Sequence, residues 1–172
     1  MKIRKAHTQD RPEIASIYRK VAGHVEGIVR RSEEITETYV FSLLNKPDSE
    51  MIFLVVEDDD MNIIGFGHAQ KIGLKAYDHI LSNYAIVVNP DHQAQGIGRG
   101  IFMGFLDYLT NNRPDVKRLE MEVQYDPDRV KIFEATGFKT EAIIKDRVLG
   151  LDGKFHDQVL MAWENPNFKP QK

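Results

Sequence analysis

The ten residues Asn89 to Gly98, Asn-Pro-Asp-His-Gln-Ala-Gln-Gly-Ile-Gly, join an apolar segment to an amphipathic one, in the order strand, loop, helix. Gly96 and Gly98 lie where that helix would begin, and the first backbone N–H groups of a helix have no acceptor within it. These N–H groups and the helix dipole attract anions, and glycine has no Cβ to keep a ligand away. The segment therefore predicts a phosphate or pyrophosphate site, to which Gln93 and Arg99 could add hydrogen bonds.

The spacing of the glycines argues against two other phosphate-binding loops. Gly96, Gly98 and Gly100 form G-x-G-x-G well past the strand, whereas the dinucleotide fingerprint places G-x-G-x-x-G directly after it. A Walker loop needs a lysine followed by serine or threonine after its last glycine, and none is present. Taken alone, the segment could also be a tight turn between a strand and a helix.

A second motif lies downstream, in the segment Asp128 to Phe138, which ends in Phe-Glu-Ala-Thr-Gly-Phe. It follows Arg118–Gln124, where apolar and polar residues alternate as in a strand. Gly137 lies where the residue after a helix C-terminus adopts a left-handed conformation. The segment therefore predicts a strand, then a helix that ends at a glycine.

These two motifs resemble the GNAT superfamily of acetyl-CoA-dependent N-acetyltransferases. Gln93, Gly96 and Gly98 fit the family's Q/R-x-x-G-x-G/A loop, and the downstream motif fits its aromatic-Glu-x-x-Gly-Phe signature. The segment from Gly150 to Trp163 is similar to the family's last hairpin. The resemblance implies that residues 1–172 form a single α+β domain, a GNAT-like mixed, mostly antiparallel central sheet with helices on both faces.

The order of the predicted elements agrees with that fold class. Pro12 is suited to the first turn of a helix, and Lys46-Pro47 would end a second one. The predicted elements before the glycine loop are strand Lys2–Ala6, helix Pro12–Ala22, helix Ser32–Leu44, hairpin strands Met51–Glu57 and Ile63–Ile72, and strand Ile80–Val88.

Composition places limits on the function. With 172 residues, the chain is long enough to bury a core as one domain. A net charge of -3 gives no electrostatic case for binding nucleic acid. The absence of cysteine excludes disulfides and thiolate nucleophiles. No apolar run has the length of a membrane span, and the first residues lack a signal-peptide pattern, so we expect a cytoplasmic protein.

The resemblance implies acetyl-CoA as a cosubstrate, with no metal ion. In the family, the pantetheine arm pairs with the free edge of the fourth strand, and a backbone N–H there polarises the thioester carbonyl. By that analogy the oxyanion-binding N–H lies near Val87 or Val88, and the candidate is that of Val88. The candidate coenzyme-binding residues are Ile86, Val87, Val88, Gln93, Ala94, Gln95, Gly96, Ile97, Gly98, Arg99, Asp126 and Phe133.

Two positions depart from the family pattern. Many relatives have a tyrosine where Phe133 stands, and use it to protonate the leaving thiolate, which phenylalanine cannot do. Asp126 stands where many relatives have an asparagine, and could still accept a hydrogen bond from pantetheine. Tyr125 is the candidate acid, with Tyr84 as an alternative.

Glu122 is the candidate base, because it lies close to where some relatives carry a glutamate that accepts the amine proton. It shares one strand face with Glu120, so both could equally be solvated surface residues. His68 and His79 are alternatives, because an unperturbed imidazole titrates near neutral pH. An acceptor that arrives as a neutral amine would need no base.

The acceptor is left open as a small-molecule or protein amine. Glu26, Glu33 and Glu34 could attract a polyamine, or could simply favour helix starts. Residues Val159 to Trp163 are apolar on both strand faces, and relatives often dimerise through their final strands, so we expect a homodimer. The alternative is that this strand packs beneath the fourth helix of the same chain.

The function predicted from the sequence is transfer of an acetyl group from acetyl-CoA to a primary amine, directly in a ternary complex. A second hypothesis is an acyl-CoA-binding sensor of the same fold without turnover, which Phe133 in place of tyrosine favours. A third is a nucleotide-binding domain that shares only the glycine loop.

Overall fold

The computed structural model describes residues 1–23, 28–92 and 96–170. The described chain forms seven strands and four α-helices, joined by loops and short 3-10 turns. In chain order these elements are β1 Lys2–Lys5, α1 Arg11–Ala22, α2 Glu37–Leu44, β2 Met51–Glu57, β3 Ile63–Lys71, β4 Ile80–Val88, α3 Ile97–Asn112, β5 Arg118–Gln124, α4 Pro127–Glu134, β6 Lys139–Leu149 and β7 Phe155–Glu164.

The strands form one mixed sheet in the order β1-β2-β3-β4-β5-β7-β6. β4 and β5 are parallel, with Ile80 opposite Arg118 and Leu81 opposite Leu119. The pairs β1–β2, β5–β7 and β6–β7 are antiparallel. The predicted fold class, an α+β protein with a mixed and mostly antiparallel sheet, is confirmed.

By its internal contacts the chain divides into two compact units. The first contains Met1–Ala69 and Ala85–Leu106, and the second contains Gln70–Tyr84 and Asp107–Lys172. In the first unit, helices cover both faces of the strands. One buried cluster joins α1 and α2 to β2 and β3, and includes Ile14, Tyr18, Val40, Phe53, Phe66 and Val87. A second cluster joins α3 to the opposite face, and consists of Val56, Ile64, Ile97 and Ile101.

Two glycines in β3 allow α3 to approach the sheet closely. A Cβ added to Gly65 would lie 2.7 Å from Ile101 Cδ1 and 2.9 Å from the carbonyl oxygen of Val87. A Cβ on Gly67 would lie 3.0 Å from Ile101 Cγ2. Because interiors are packed close to crystal density, any side chain at Gly65 would displace either the helix or the neighbouring strand.

In the second unit, β7 lies between β5 and β6 in the sheet. Trp163 is buried, and Gly137 is next to it with a left-handed φ of 96°, as the sequence predicted. The buried side-chain amide of Asn165 donates to the carbonyl oxygens of Leu109, Arg113 and Val116 at 3.0 to 3.3 Å. This amide ties the segment after β7 to the end of α3.

The prediction of one helix over Ser32–Leu44 is wrong. Residues Ser32–Glu34 form a 3-10 turn, and α2 begins only after Thr36. Ile35 is buried in a non-helical conformation, with ψ of 70°. The Thr36 hydroxyl accepts a hydrogen bond from the Tyr39 N–H at 3.0 Å, which makes Thr36 the N-cap. In contrast, the bounds predicted for β2, β4 and β5 are those observed.

We expect Gly65→Ala to lower the free energy of unfolding by about 1 to 3 kcal/mol, because overpacking forces a shift of α3 or β4. Urea denaturation followed by circular dichroism measures the change. Gly23→Ala is the matched control, since the nearest atom of the described residues to a Cβ there, the carbonyl oxygen of Lys20, lies at 3.5 Å, which is an ordinary contact. Equal stability of the two variants would contradict the close approach of α3 to β3.

Candidate active site

The end of β4 and the start of α3 are fixed to each other by a buried apolar cluster. The side chain of Ile97, the first residue of α3, packs with Val56 and Ile64. Ile86 and Val88 of β4 pack against the same cluster. The two ends of the predicted phosphate loop are therefore held together, while Gln93, Ala94 and Gln95 lie outside the described residues.

Among the described residues, the start of α3 leaves open space at Gly96. Gly96 is exposed, with a left-handed φ of 73°, and a Cβ added to it would meet no atom of the described residues within 4 Å. The N–H of Gly100 donates to the carbonyl of Gly96 at 2.9 Å, which closes the first turn. A Cβ on Gly98 would lie 3.4 Å from Val88 Cγ2, and Arg99 is exposed beside it. The first backbone N–H groups of a helix have no acceptor within it, so those of this turn are candidate donors to an anion.

An ion pair neutralises Asp91, the carboxylate within the segment Asn89–Gly98. Lys20 of α1 donates to Asp91 at 2.7 Å. The hydrogen bond from Lys20 lowers the pKa of Asp91, so the carboxylate stays ionised and paired. This pairing reduces the repulsion that a lone Asp91 would exert on a phosphate.

The backbone groups at the end of β4 alternate between the two edges of the strand. The Asn89 N–H donates to the Ile64 carbonyl of β3 at 2.9 Å, and the Val87 carbonyl also lies towards β3, beside Gly65. In a regular strand the groups of Ile86 and Val88 then point to the opposite edge. The register of β4 with β5 pairs only residues at the start of β4, Ile80 and Leu81.

The predicted catalytic residues Glu122 and Tyr125 lie in the second unit. Glu122 is exposed on β5, on the strand face that also carries Glu120. Tyr125 follows β5, with 37% of its surface exposed, and its N–H donates to the carbonyl of Asp157 at 2.8 Å. Both side chains are therefore accessible to solvent, as a group that exchanges protons with water must be.

Asp126 and Phe133 are placed by α4. Asp126 is the N-cap, and one carboxylate oxygen accepts from the N–H groups of Asp128 and Arg129 at 2.9 and 3.2 Å. These backbone hydrogen bonds lower the pKa of Asp126. The Phe133 ring is half-buried, 6.4 Å from the ring centre of Phe138. The capping role of Asp126 was missed, although Asp-Pro-Asp before a helix is a signal for it.

His68, a candidate base, forms a buried pair with Tyr18. The tyrosine Oη lies 2.9 Å from His68 Nε2, and both side chains are buried in the first unit. The ring of Phe53 packs 5.1 Å from His68. Burial lowers the pKa of His68 to about 4, so the imidazole is neutral at pH 7.

His79 and Tyr84, a candidate base and a candidate acid, lie in the second unit. His79 precedes β4, and its carbonyl oxygen accepts the Lys117 N–H at 2.8 Å. Tyr84 is buried in β4, and burial raises its pKa well above the usual value. The described residues hold no group of three or more His, Cys, Asp or Glu side chains suited to a metal ion.

Comparison with protein families assigns the chain to a class. Residues 49–140 match the model of the acetyltransferase (GNAT) domain. The match places the protein among the acetyltransferases. Because it spans more than half of the chain, the protein belongs to the GNAT family of these enzymes. The comparison with curated protein sequences gives no match.

Solved structures share the fold. A phosphinothricin acetyltransferase from Sinorhizobium meliloti in complex with AcCoA is 18% identical, with a TM-score of 0.79 over 99% of this chain and 93% of that one. A ribosomal-protein-alanine N-acetyltransferase from Brucella melitensis is 18% identical, with a TM-score of 0.81 over 95% and 99%. The ribosomal-protein-S18-alanine N-acetyltransferase from Escherichia coli is 20% identical, with a TM-score of 0.75 over 99% and 96%.

The buried His68 predicts a pH dependence of stability. Its pKa in the folded protein, about 4, is below the ordinary value of 6.5, so the unfolded chain binds more protons between these values. We expect His68 to contribute up to about 3 kcal/mol to the free energy of unfolding above pH 6.5, and this contribution to be lost as the pH falls towards 4. Urea unfolding at several pH values in this range measures it.

His68→Gln should flatten this slope, since glutamine does not titrate. Tyr18→Phe is the matched control, because it removes the hydroxyl and leaves the imidazole buried, so the slope should persist. A wild-type slope retained in His68→Gln would contradict the assignment to His68.

Proposed function

We propose that this acetyltransferase moves an acetyl group from acetyl-CoA to a primary amine, directly in a ternary complex. The observation that carries the proposal is the joint between β4 and α3. At this joint, the start of α3, with glycine at positions 96 and 98, is fixed beside the end of β4. The backbone groups of Ile86 and Val88 at that strand end point away from β3. Such a joint offers donors for a pyrophosphate and pairing groups for an extended amide chain.

The pyrophosphate of the coenzyme would lie against the first turn of α3. The accessible N–H groups and the dipole of this 16-residue helix favour its negative charge. None of the described residues would meet a Cβ on Gly96 within 4 Å, which favours the close approach of a phosphate, and the ion pair with Lys20 offsets the negative charge of Asp91. Gln93, Ala94, Gln95 and Arg99 remain predicted contacts of the same group.

The pantetheine arm would pair with the outward edge of β4. Ile86 and Val88 present their backbone groups there, whereas those of Val87 face β3. We therefore assign the oxyanion-binding role to the N–H of Val88. A fixed N–H directed at the developing negative charge contributes on the order of 3 kcal/mol in comparable enzymes.

The chemical step needs the two substrates and a proton acceptor, and an acid that protonates the leaving thiolate speeds it. The neutral amine nitrogen attacks the thioester carbonyl carbon, a C–N bond forms, and the carbonyl oxygen gains negative charge. The C–S bond then breaks, the thiolate of coenzyme A leaves, and the amine nitrogen releases one proton. Glu122 is the proposed base and Tyr125 the proposed acid, both supported by their exposure.

The second candidate function is an acyl-CoA-binding sensor without turnover. Phe133 favours it, because no phenolic hydroxyl is available there to protonate the thiolate. A thiolate is a tolerable leaving group, however, so a missing acid slows transfer without preventing it. Release of free thiol from acetyl-CoA across a panel of amines distinguishes the two, because a sensor releases none with any amine.

A cytoplasmic location and a homodimer are further proposals. None of the described helices is long and apolar enough to cross a membrane. Trp163, on which the dimer prediction rested in part, is buried beside Gly137 of its own chain. What supports a dimer now is β6, the last strand in the sheet order, on which Ile143 and Leu149 are exposed.

Gly98→Val should weaken acetyl-CoA binding by more than about tenfold. The methyl groups of the valine would occupy the space proposed for the pyrophosphate, beside the backbone N–H donors of α3. Isothermal titration calorimetry with acetyl-CoA measures the affinity, and circular dichroism verifies that the variant is folded.

Arg99→Ala is the control for the role of charge, and should weaken binding less, because an exposed side chain adds only a peripheral interaction. Full acetyl-CoA affinity in a folded Gly98→Val protein would refute the proposed coenzyme site.

A further inference from the structure

The guanidinium of Arg30 lies over the aromatic ring of Tyr39 in the first unit. Its guanidinium carbon lies 4.1 Å from the centre of the Tyr39 ring, within the range of a cation–π interaction. Tyr39 is partly buried and packs against the core cluster of α1 and α2. The ring therefore holds an otherwise long and flexible side chain in place, while the guanidinium stays exposed.

The charge of Arg30 is not neutralised by the described part of the chain, in which no carboxylate forms an ion pair with it. Two nearby arginines differ in this respect. Arg11 and Arg19 both pair with Glu37, at 3.2 and 3.4 Å. Arg30 is thus an oriented guanidinium with its hydrogen-bond donors available, the arrangement that recognises carboxylates and phosphates.

Packed side chains lead from this guanidinium to the buried cluster that contains Val87, next to the strand end proposed to hold the thioester. The ring of Tyr39 lies 6.1 Å from that of Tyr18, whose hydroxyl contacts His68. Tyr18 belongs to the same buried cluster as Val87, the neighbour of Val88. The positive charge of Arg30 also acts on the buried His68, because it contributes, after burial, to lowering the pKa of that imidazole.

The acidic residues of the same segment are less suited to a cationic acceptor. A carboxylate oxygen of Glu34 accepts the Arg31 N–H at 2.7 Å, so it closes the 3-10 turn. Glu33 is exposed in that turn, and Glu26 lies outside the described residues. In this segment, the oriented positive charge of Arg30 favours an anionic group on the acceptor over a cationic one.

We infer that Arg30 binds an anionic group of the acceptor, and that the acceptor is an amine that also carries a carboxylate, as in a free amino acid. The inference rests on the proposed function, because it concerns the second substrate of that site. Arg30 would hold the carboxylate while the amine nitrogen reaches the thioester. Arg30 would therefore determine which acceptor binds, and would take no part in the bond-making steps.

The test compares L-amino acids with their carboxamides, and includes spermidine as a polyamine probe. Thiol release from saturating acetyl-CoA gives kcat/KM for each amine. We expect the carboxylate to be preferred over its amide by about 10- to 100-fold, the value of a charge-assisted hydrogen bond. Arg30→Gln should remove this preference by lowering kcat/KM for the carboxylate alone, and Arg30→Lys should restore part of it.

Arg31→Gln is the matched control, since it removes the same charge one residue away and should keep the preference. A loss of equal size in Arg31→Gln would show that general electrostatic attraction is responsible, and would overturn the role of Arg30. Preference for spermidine or for the amides in the wild-type protein would overturn the inference and leave acetyl transfer intact.

Failure of the proposed function gives a different result. If no amine releases thiol, acetyl transfer is refuted. Calorimetric titration of the amino acids into the protein with coenzyme A then tests whether Arg30 binds their carboxylate. Weaker binding to Arg30→Gln than to Arg31→Gln would support the anion site, and equal or absent binding would overturn it.

Discussion

The burial of Ile97 is the interaction on which the proposed site depends. This side chain, the first of α3, packs with Val56 and Ile64 and fixes the start of the helix beside the end of β4. Full burial of an isoleucine contributes about 1.5 to 3 kcal/mol, enough to hold the first turn in one position. Gly65 and Gly67 of β3 allow α3 to lie close to the strands at Ile101. Backbone donors from a helix and from a strand can then act on one extended ligand.

Local charge, and not net charge, decides what this protein can bind. The chain carries a net charge of -3, yet its first unit offers anions a helix start at Gly96 and, at Arg30, a guanidinium that forms no ion pair with the described residues. Lys20 pairs with the acidic group next to the loop, Asp91. Both proposed substrates are anionic, so these two positive features, placed on the same unit, account for how an acidic protein would hold them.

Much of this arrangement follows from local sequence patterns. The bounds of β4 were predicted because an apolar run ends at Pro90, and Gly137 was predicted as left-handed because a helix motif ends there. The extent of the second helix was predicted wrongly, because the polar segment around Ser32 contains residues that favour a helix. There, tertiary burial of Ile35 and the cap at Thr36 override propensity.

The contacts made between distant segments were beyond sequence patterns. Tyr18 and His68 are 50 residues apart, and their hydrogen bond depends on α1 packing over β3. Arg30 and Tyr39 lie on opposite sides of the 3-10 turn, and Tyr39, in the first turn of α2, has its ring under the guanidinium. Periodicity identifies which face of an element is buried, but it does not identify the partner across the core.

Backbone amide NMR during an acetyl-CoA titration tests the proposed coenzyme site most directly. If the coenzyme pairs with the outward edge of β4, the Val88 amide and those of the first turn of α3 will shift and become protected from exchange as acetyl-CoA saturates. The Val87 amide, which faces β3, will stay protected throughout. Saturable binding that leaves Val88, Ile97 and Gly98 unchanged would contradict the site.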